Sequence, residues 1–225
     1  ETASVLDGAD RPLVLTSTTR TEPLEDIPVL DRTDVIARTA DDAPPVFFMR
    51  ENELPDGKWS GLSPDVVDGL GDLFPDRTVL VEVDGAAKMP LKIHREGEPV
   101  WPARTSLAVV VRGVGAVGSR AGEVIHRFGK QGCPPLEGME EWAVVEWGHV
   151  ADLLLAEGGY LQRVPEGVPA ALALMGLAEQ DDSIGLFGFT GMAMEDPRLP
   201  LVLFGESSGG ESALRTACRD EPGPP

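Results

Sequence analysis

Short apolar, often β-branched runs alternate along this chain with polar stretches rich in glycine and proline. Residues 12–18 (Pro-Leu-Val-Leu-Thr-Ser-Thr) read as a buried strand ending in hydroxyl side chains. A second strand is predicted at 46–49 (Val-Phe-Phe-Met), after the Pro44-Pro45 turn, and a weaker one at 35–37 within an acidic stretch from 22 to 42. Ser63 followed by Pro64 marks a helix start, because proline at the first helical position gives up an N–H that no helix bond needs. Val66, Val67 and Leu70 supply the apolar face of that helix. Residues 78–84 (Thr-Val-Leu-Val-Glu-Val-Asp) are the most strand-like segment, and their β-branched content with the Gly85 stop predicts a central parallel strand buried on both faces. Further strands are expected at 106–111, 170–175 and 199–204. Helices are expected at 149–156, ended by Gly158-Gly159, and at 184–194 despite its glycines.

This succession predicts an α/β fold with a mostly parallel sheet and helices on both faces. The length, 225 residues, suits a single α/β domain over 1–205 followed by a polar, frayed tail over 206–225. No apolar run approaches the roughly 18 residues that cross a bilayer. The opening Glu1-Thr2-Ala3-Ser4 has neither the basic nor the apolar character of a signal peptide. No membrane partner and a cytoplasmic location are therefore expected.

Charge narrows the partners. With Asp plus Glu at 38 against Lys plus Arg at 19, the net charge is −19, a field that repels phosphate backbones and argues against nucleic acid. The acidity serves solubility or salt adaptation, or it forms a face that docks a basic partner. Cys133 and Cys218 are far apart and have no metal-type spacing, so no disulfide framework is implied. His94, Glu98, His126 and His149 likewise fall in no metal-binding pattern.

Ligands of open parallel sheets bind beyond the carboxyl ends of the strands, and two such places carry candidate chemistry. At Thr16-Ser17-Thr18-Thr19-Arg20, hydroxyls and a guanidinium emerge together and suit a phosphate oxygen, a water or a metal-bound oxygen. A capped turn at a strand end explains the same residues. At Glu82-Val83-Asp84-Gly85-Ala86, two carboxylates share one strand face by period-two alternation. A carboxylate ending a buried strand needs a metal, a water or a cation. Mg²⁺ at Asp84 meets that need, and so does an internal salt bridge to Lys88 or Lys92.

Read together, these segments resemble the YqeC-type family, accessory proteins linked to selenium-dependent molybdenum hydroxylases. The resemblance rests on Leu15-Thr16-Ser17-Thr18-Thr19-Arg20, on Gly61-Leu62-Ser63-Pro64-Asp65, and on Leu80-Val81-Glu82-Val83-Asp84-Gly85-Ala86 followed by Pro90-Leu91-Lys92 and Glu98-Pro99. It extends over roughly residues 12–205. It implies a fold similar to P-loop NTPases, in which a strand, a Gly-Lys-Thr loop and a helix come before the threonine-rich strand. Here that strand starts near Pro12, which leaves the first strand and P-loop missing, through truncation or through natural loss of the loop; the non-methionine start favours truncation. The chain as it stands is then expected to bind nucleotide poorly. Met175-Gly176-Leu177-Ala178-Glu179 stands where guanine recognition would want Asn-Lys-x-Asp, so the base is left open.

The resemblance implies a maturation factor that works through Mg²⁺ and a nucleoside triphosphate. In that reading Glu82 and Asp84 are catalytic and Asp84 positions the metal. Thr16, Thr18, Thr19, Arg20, Lys88 and Lys92 line the cofactor. The implied partner is the molybdenum hydroxylase or its cofactor machinery. A non-catalytic acidic scaffold that binds the apo-enzyme is the alternative, and a small-molecule transferase ranks below both.

Overall fold

The computed structural model describes residues 11–32, 43–130, 134–177, 183–206 and 214–218. They fall into two compact units, Glu1–Gly85 with Gly97–Arg104, and Ala86–Glu96 with Thr105–Pro225. Each unit has its own four-stranded sheet, so the expected α/β fold of mostly parallel strands is present, but where one sheet was expected the described strands form two four-stranded sheets and two two-stranded ones.

The first unit contains β1 (Leu13–Ser17), β2 (Val29–Asp31), β3 (Val46–Arg50), β4 (Asn52–Glu53), β5 (Trp59–Ser60), helix α1 (Pro64–Leu73) and β6 (Thr78–Glu82). Its sheet runs β2-β3-β1-β6, with every pairing parallel. Alternation along the strands sends Val14, Phe47 and Met49 to one face, where they meet Val67 and Leu70 of α1 together with Phe74. Phe47 is fully buried and packs edge-on against Phe74 at 5.4 Å between ring centroids. Arg77 lies over both rings and donates to the carbonyls of Ala43 and Pro44; burial lowers its pKa from the ordinary arginine value. On the opposite face, Phe48 and Ile27 pack with Trp59 of the antiparallel β4–β5 pair. A hairpin, not a helix, therefore contributes to that side of the sheet.

One expectation changes here. The strand read over 78–84 ends at Glu82 and lies at the edge of its sheet among the described strands. Only Val79 and Val81 join the core, while Leu80 is 46% exposed. An apolar run rich in β-branched residues signals burial on both faces, but edge placement leaves one face open. Strand β2 gave no sequence signal because three residues are too short for periodicity. The strand anticipated at 35–37 lies outside the described residues.

The second unit contains β7 (Leu91–Lys92), β8 (Ala108–Gly113), α2 (Ala121–Val124), β9 (Ile125–His126), α3 (Trp147–Leu155), β10 (Ala170–Leu177), α4 (Ser183–Glu195), β11 (Leu201–Glu206) and β12 (Leu214–Cys218). Its main sheet runs β8-β10-β11-β12, parallel except for the antiparallel last pair. β12 falls inside the expected frayed tail; its ladder forms along the backbone of β11, for which Leu-Arg-Thr-Ala-Cys carries little side-chain pattern. Helix α3 opens with a reciprocal cap, in which the Glu146 N–H donates to His149 Nδ1 at 3.0 Å and the Glu146 side chain accepts the His149 backbone N–H. It ends where Gly159 folds back, since a Cβ there would lie 2.8 Å from the carbonyl oxygens of Leu153 and Ala156. Helix α4 is apolar around its circumference, with Phe189 and Ala193 buried and Phe187 76% exposed. Among the described residues, no helix is long and apolar enough to cross a membrane.

The two phenylalanines give a direct check on this core. Phe47→Ala is expected to cost about 3–5 kcal/mol in urea unfolding, whereas Phe187→Ala should stay within about 0.5 kcal/mol of the parent.

Candidate functional site

The site is built where β1 and β6 end side by side. Their register places Ser17 opposite Glu82, and the Thr18 N–H donates to the Glu82 carbonyl at 3.0 Å. Beyond that point the chain from β1 turns tightly. The buried Ser17 hydroxyl donates to the Thr19 carbonyl at 2.8 Å and accepts the Thr19 N–H at 2.9 Å. This turn sits against Gly61, whose chain is tied in through the Leu62 N–H to the Ser17 carbonyl at 2.8 Å. A Cβ on Gly61 would press into the Ser17 carbonyl and lie 2.6 and 2.7 Å from the Thr19 oxygen and nitrogen. Only glycine fits.

The same turn comes close to the end of β6. A Cβ on Gly85 would have Glu82 Oε1 at 3.8 Å, the Arg20 carbonyl oxygen at 3.7 Å and Thr19 Cγ2 at 3.9 Å as its nearest neighbours. Thr19, Glu82 and the Arg20 backbone therefore surround one glycine. Asp84 follows β6 in the turn and is half-buried, so the alternation argument that paired it with Glu82 stops at the strand end. A third segment closes this edge. The Val100 N–H donates to the Val83 carbonyl at 3.2 Å, and the Val100 carbonyl accepts the Thr18 hydroxyl at 2.7 Å. That segment is clamped further along by Asp68, which accepts the Ala103 and Arg104 N–H groups at 3.0 and 2.8 Å. Arg104 is also paired with Asp72, which raises the guanidinium pKa.

The remaining candidates separate. Thr16 is 2% exposed and donates its hydroxyl to the Met49 carbonyl at 2.7 Å, so it braces β1 against β3. Arg20 is exposed and engages Asp56 of the β4–β5 turn. Lys88 and Lys92 belong to the second unit. Lys88 is exposed in a left-handed conformation (φ 64°), whereas Lys92 is 2% exposed. Lys92 pairs with His126 across β7 and β9, and its N–H donates to the Tyr160 hydroxyl at 3.0 Å. Arg112 stacks 3.5 Å from the Tyr160 ring centroid, and His94 meets the ring edge at 5.0 Å between centroids. Sequence reading missed this cluster, whose available signal was that Tyr160 is the only tyrosine in the chain.

Among the described residues, no group of three or more His, Cys, Asp or Glu side chains could hold a metal ion.

Comparison with known proteins now bears on this edge. The model of the YqeC protein family matches residues 2–129, more than half of the chain, and that span holds every candidate residue named above. The chain belongs to the YqeC family. A relative from Escherichia coli (strain K12), called "Uncharacterized protein YqeC", is 25% identical over 169 residues, 73% of this chain and 65% of the relative. This YqeC-family chain thus spans slightly less than two thirds of that relative's length. No solved structure matches it.

Two glycine substitutions test the local geometry of this YqeC-family chain. Gly61→Ala is expected to destabilise by about 1–3 kcal/mol and to shift the amide resonances of Thr18 and Thr19. Gly69→Ala, within α1 and facing open space, is expected to stabilise by about 0.5–1 kcal/mol and leave those resonances in place.

Proposed function

We propose that this chain supplies part of a Mg²⁺-nucleotide site in a cytoplasmic accessory factor that matures a selenium-dependent molybdenum hydroxylase. The observation behind the nucleotide reading is the grouping of Thr18, Thr19 and Glu82 at the joined ends of β1 and β6, with Asp84 immediately after. The client enzyme and the P-loop NTPase-like character follow from the family resemblance alone.

Hydrogen bonding separates the two threonines. The Thr18 hydroxyl gives its proton to Val100, which leaves lone pairs that suit Mg²⁺ or its water better than a phosphate oxygen. Thr19 uses its backbone N–H within the turn, and its hydroxyl is the one suited to donate to a phosphate oxygen. Asp84 holds the ion, directly or through water, and the exposed Glu82 carboxylate orients an attacking water. When bound, Mg²⁺ would be held by Asp84 and would supply positive charge to offset that on the phosphate oxygens. Lys88 and Lys92 belong to the second unit and take no part in this site, and Lys92 is buried.

The test is Mg²⁺-dependent nucleotide binding by the natural full-length protein. Asp84→Asn is expected to weaken binding about tenfold or more and to remove its Mg²⁺ dependence. Thr18→Val should raise the Mg²⁺ concentration needed, and Thr19→Val should weaken nucleotide binding at saturating Mg²⁺. Wild-type affinity and metal dependence in all three variants would overturn the proposal.

A further inference from the structure

The second unit carries an open cavity of about 500 Å³, a size that suits a ligand or an anchoring side chain with its neighbours. Leu136, Met139 and Trp142 give it apolar surface, and Glu137, Glu140 and Asp152 give it charge. Among the described residues, no lysine or arginine lines it. None of the three carboxylates takes part in an ion pair among the described residues.

Trp142 is the telling group. This residue is 71% exposed, although the loop that carries it is fixed on both sides. The Ala121 and Gly122 N–H groups donate to the Ala143 and Glu141 carbonyls, both at 2.9 Å. The Val145 N–H donates to Ser119 at 2.8 Å, and the Gly118 N–H donates back to Val145 at 2.8 Å. The ring is thus displayed from an anchored loop at the mouth of a cavity. On the helix side, the Glu146 N–H donates to Nδ1 of the lining His149 and holds that ring in place.

We infer that this cavity is a docking site for a guanidinium or ammonium side chain presented by a basic protein segment. An indole face attracts a cation through its quadrupole, and the surrounding carboxylates set the sign of the ligand. The chain's net charge of −19 steers basic partners toward this surface. The open mouth leaves room for the residues flanking the anchor, which favours a peptide over a free cation. This inference stands apart from the nucleotide reading, because none of its residues belongs to the β1–β6 edge.

The experiment titrates a hexa-arginine peptide into the protein by calorimetry at 150 mM salt, where diffuse attraction is screened. Trp142→Ala, and separately the triple change Glu137→Gln, Glu140→Gln and Asp152→Asn, are each expected to weaken binding about fivefold or more. A control triple with the same change in charge, Glu123→Gln, Glu157→Gln and Glu166→Gln, should stay within about twofold of wild type. All seven side chains are exposed or on the surface, and matching thermal midpoints confirm intact folding. Equal weakening by the two triples would overturn the inference, as would wild-type binding by Trp142→Ala. Full competition by free arginine amide at equal guanidinium concentration would overturn the peptide assignment.

Discussion

The hydrogen bond from Thr18 to the Glu82 carbonyl completes the parallel pairing of β1 with β6, and the candidate chemistry depends on it. Parallel strands bring their carboxyl ends to the same edge, so hydroxyls from one strand and carboxylates from the next emerge together. Gly61 makes the closeness possible by letting backbone touch backbone under the turn. Val100 then adds a third strand-like segment, which fixes the direction of the Thr18 proton. Stability of the first unit and geometry of its site are therefore coupled through a few backbone groups, with the Phe47 and Phe74 packing of α1 beneath them.

Much of this was legible in the residues because burial leaves periodic traces. The strand at 12–18, the Ser63-Pro64 helix start and the apolar segments near 108, 170 and 201 all correspond to elements of the structure. What failed was the environment of individual side chains. Thr16 and Lys92 read as ligand groups because hydroxyls and ammoniums usually face solvent or a ligand. Thr16 instead satisfies a neighbouring strand, and Lys92 is enclosed beside Tyr160. The edge position of β6 was hidden because composition reports hydrophobicity, not which neighbours a strand acquires. The roles of Gly61 and Val100 were invisible for a simpler reason: their contributions are made by backbone atoms, on which side-chain pattern is silent.

The acidic balance of the chain has a local meaning as well as a global one. Most charge on such a surface serves solubility, and ion pairs such as Arg50 with Asp31 and Glu53 use part of it within the fold; the Asp31 hydrogen bond is the main reason the Arg50 pKa is raised. Around Trp142 the carboxylates have no such internal use among the described residues. The candidate nucleotide edge and the Trp142 cavity draw on residues of different units.

The central claim is that the carboxyl edge of β1 and β6 is where a divalent ion and a nucleotide meet the protein. Paramagnetic broadening of backbone amide resonances by Mn²⁺, recorded on the full-length protein with and without a non-hydrolysable nucleoside triphosphate, tests it most directly. The account predicts nucleotide-dependent broadening centred on Thr18, Thr19, Glu82 and Asp84. Broadening spread over the acidic surface and indifferent to nucleotide, with those four amides unaffected, would contradict it.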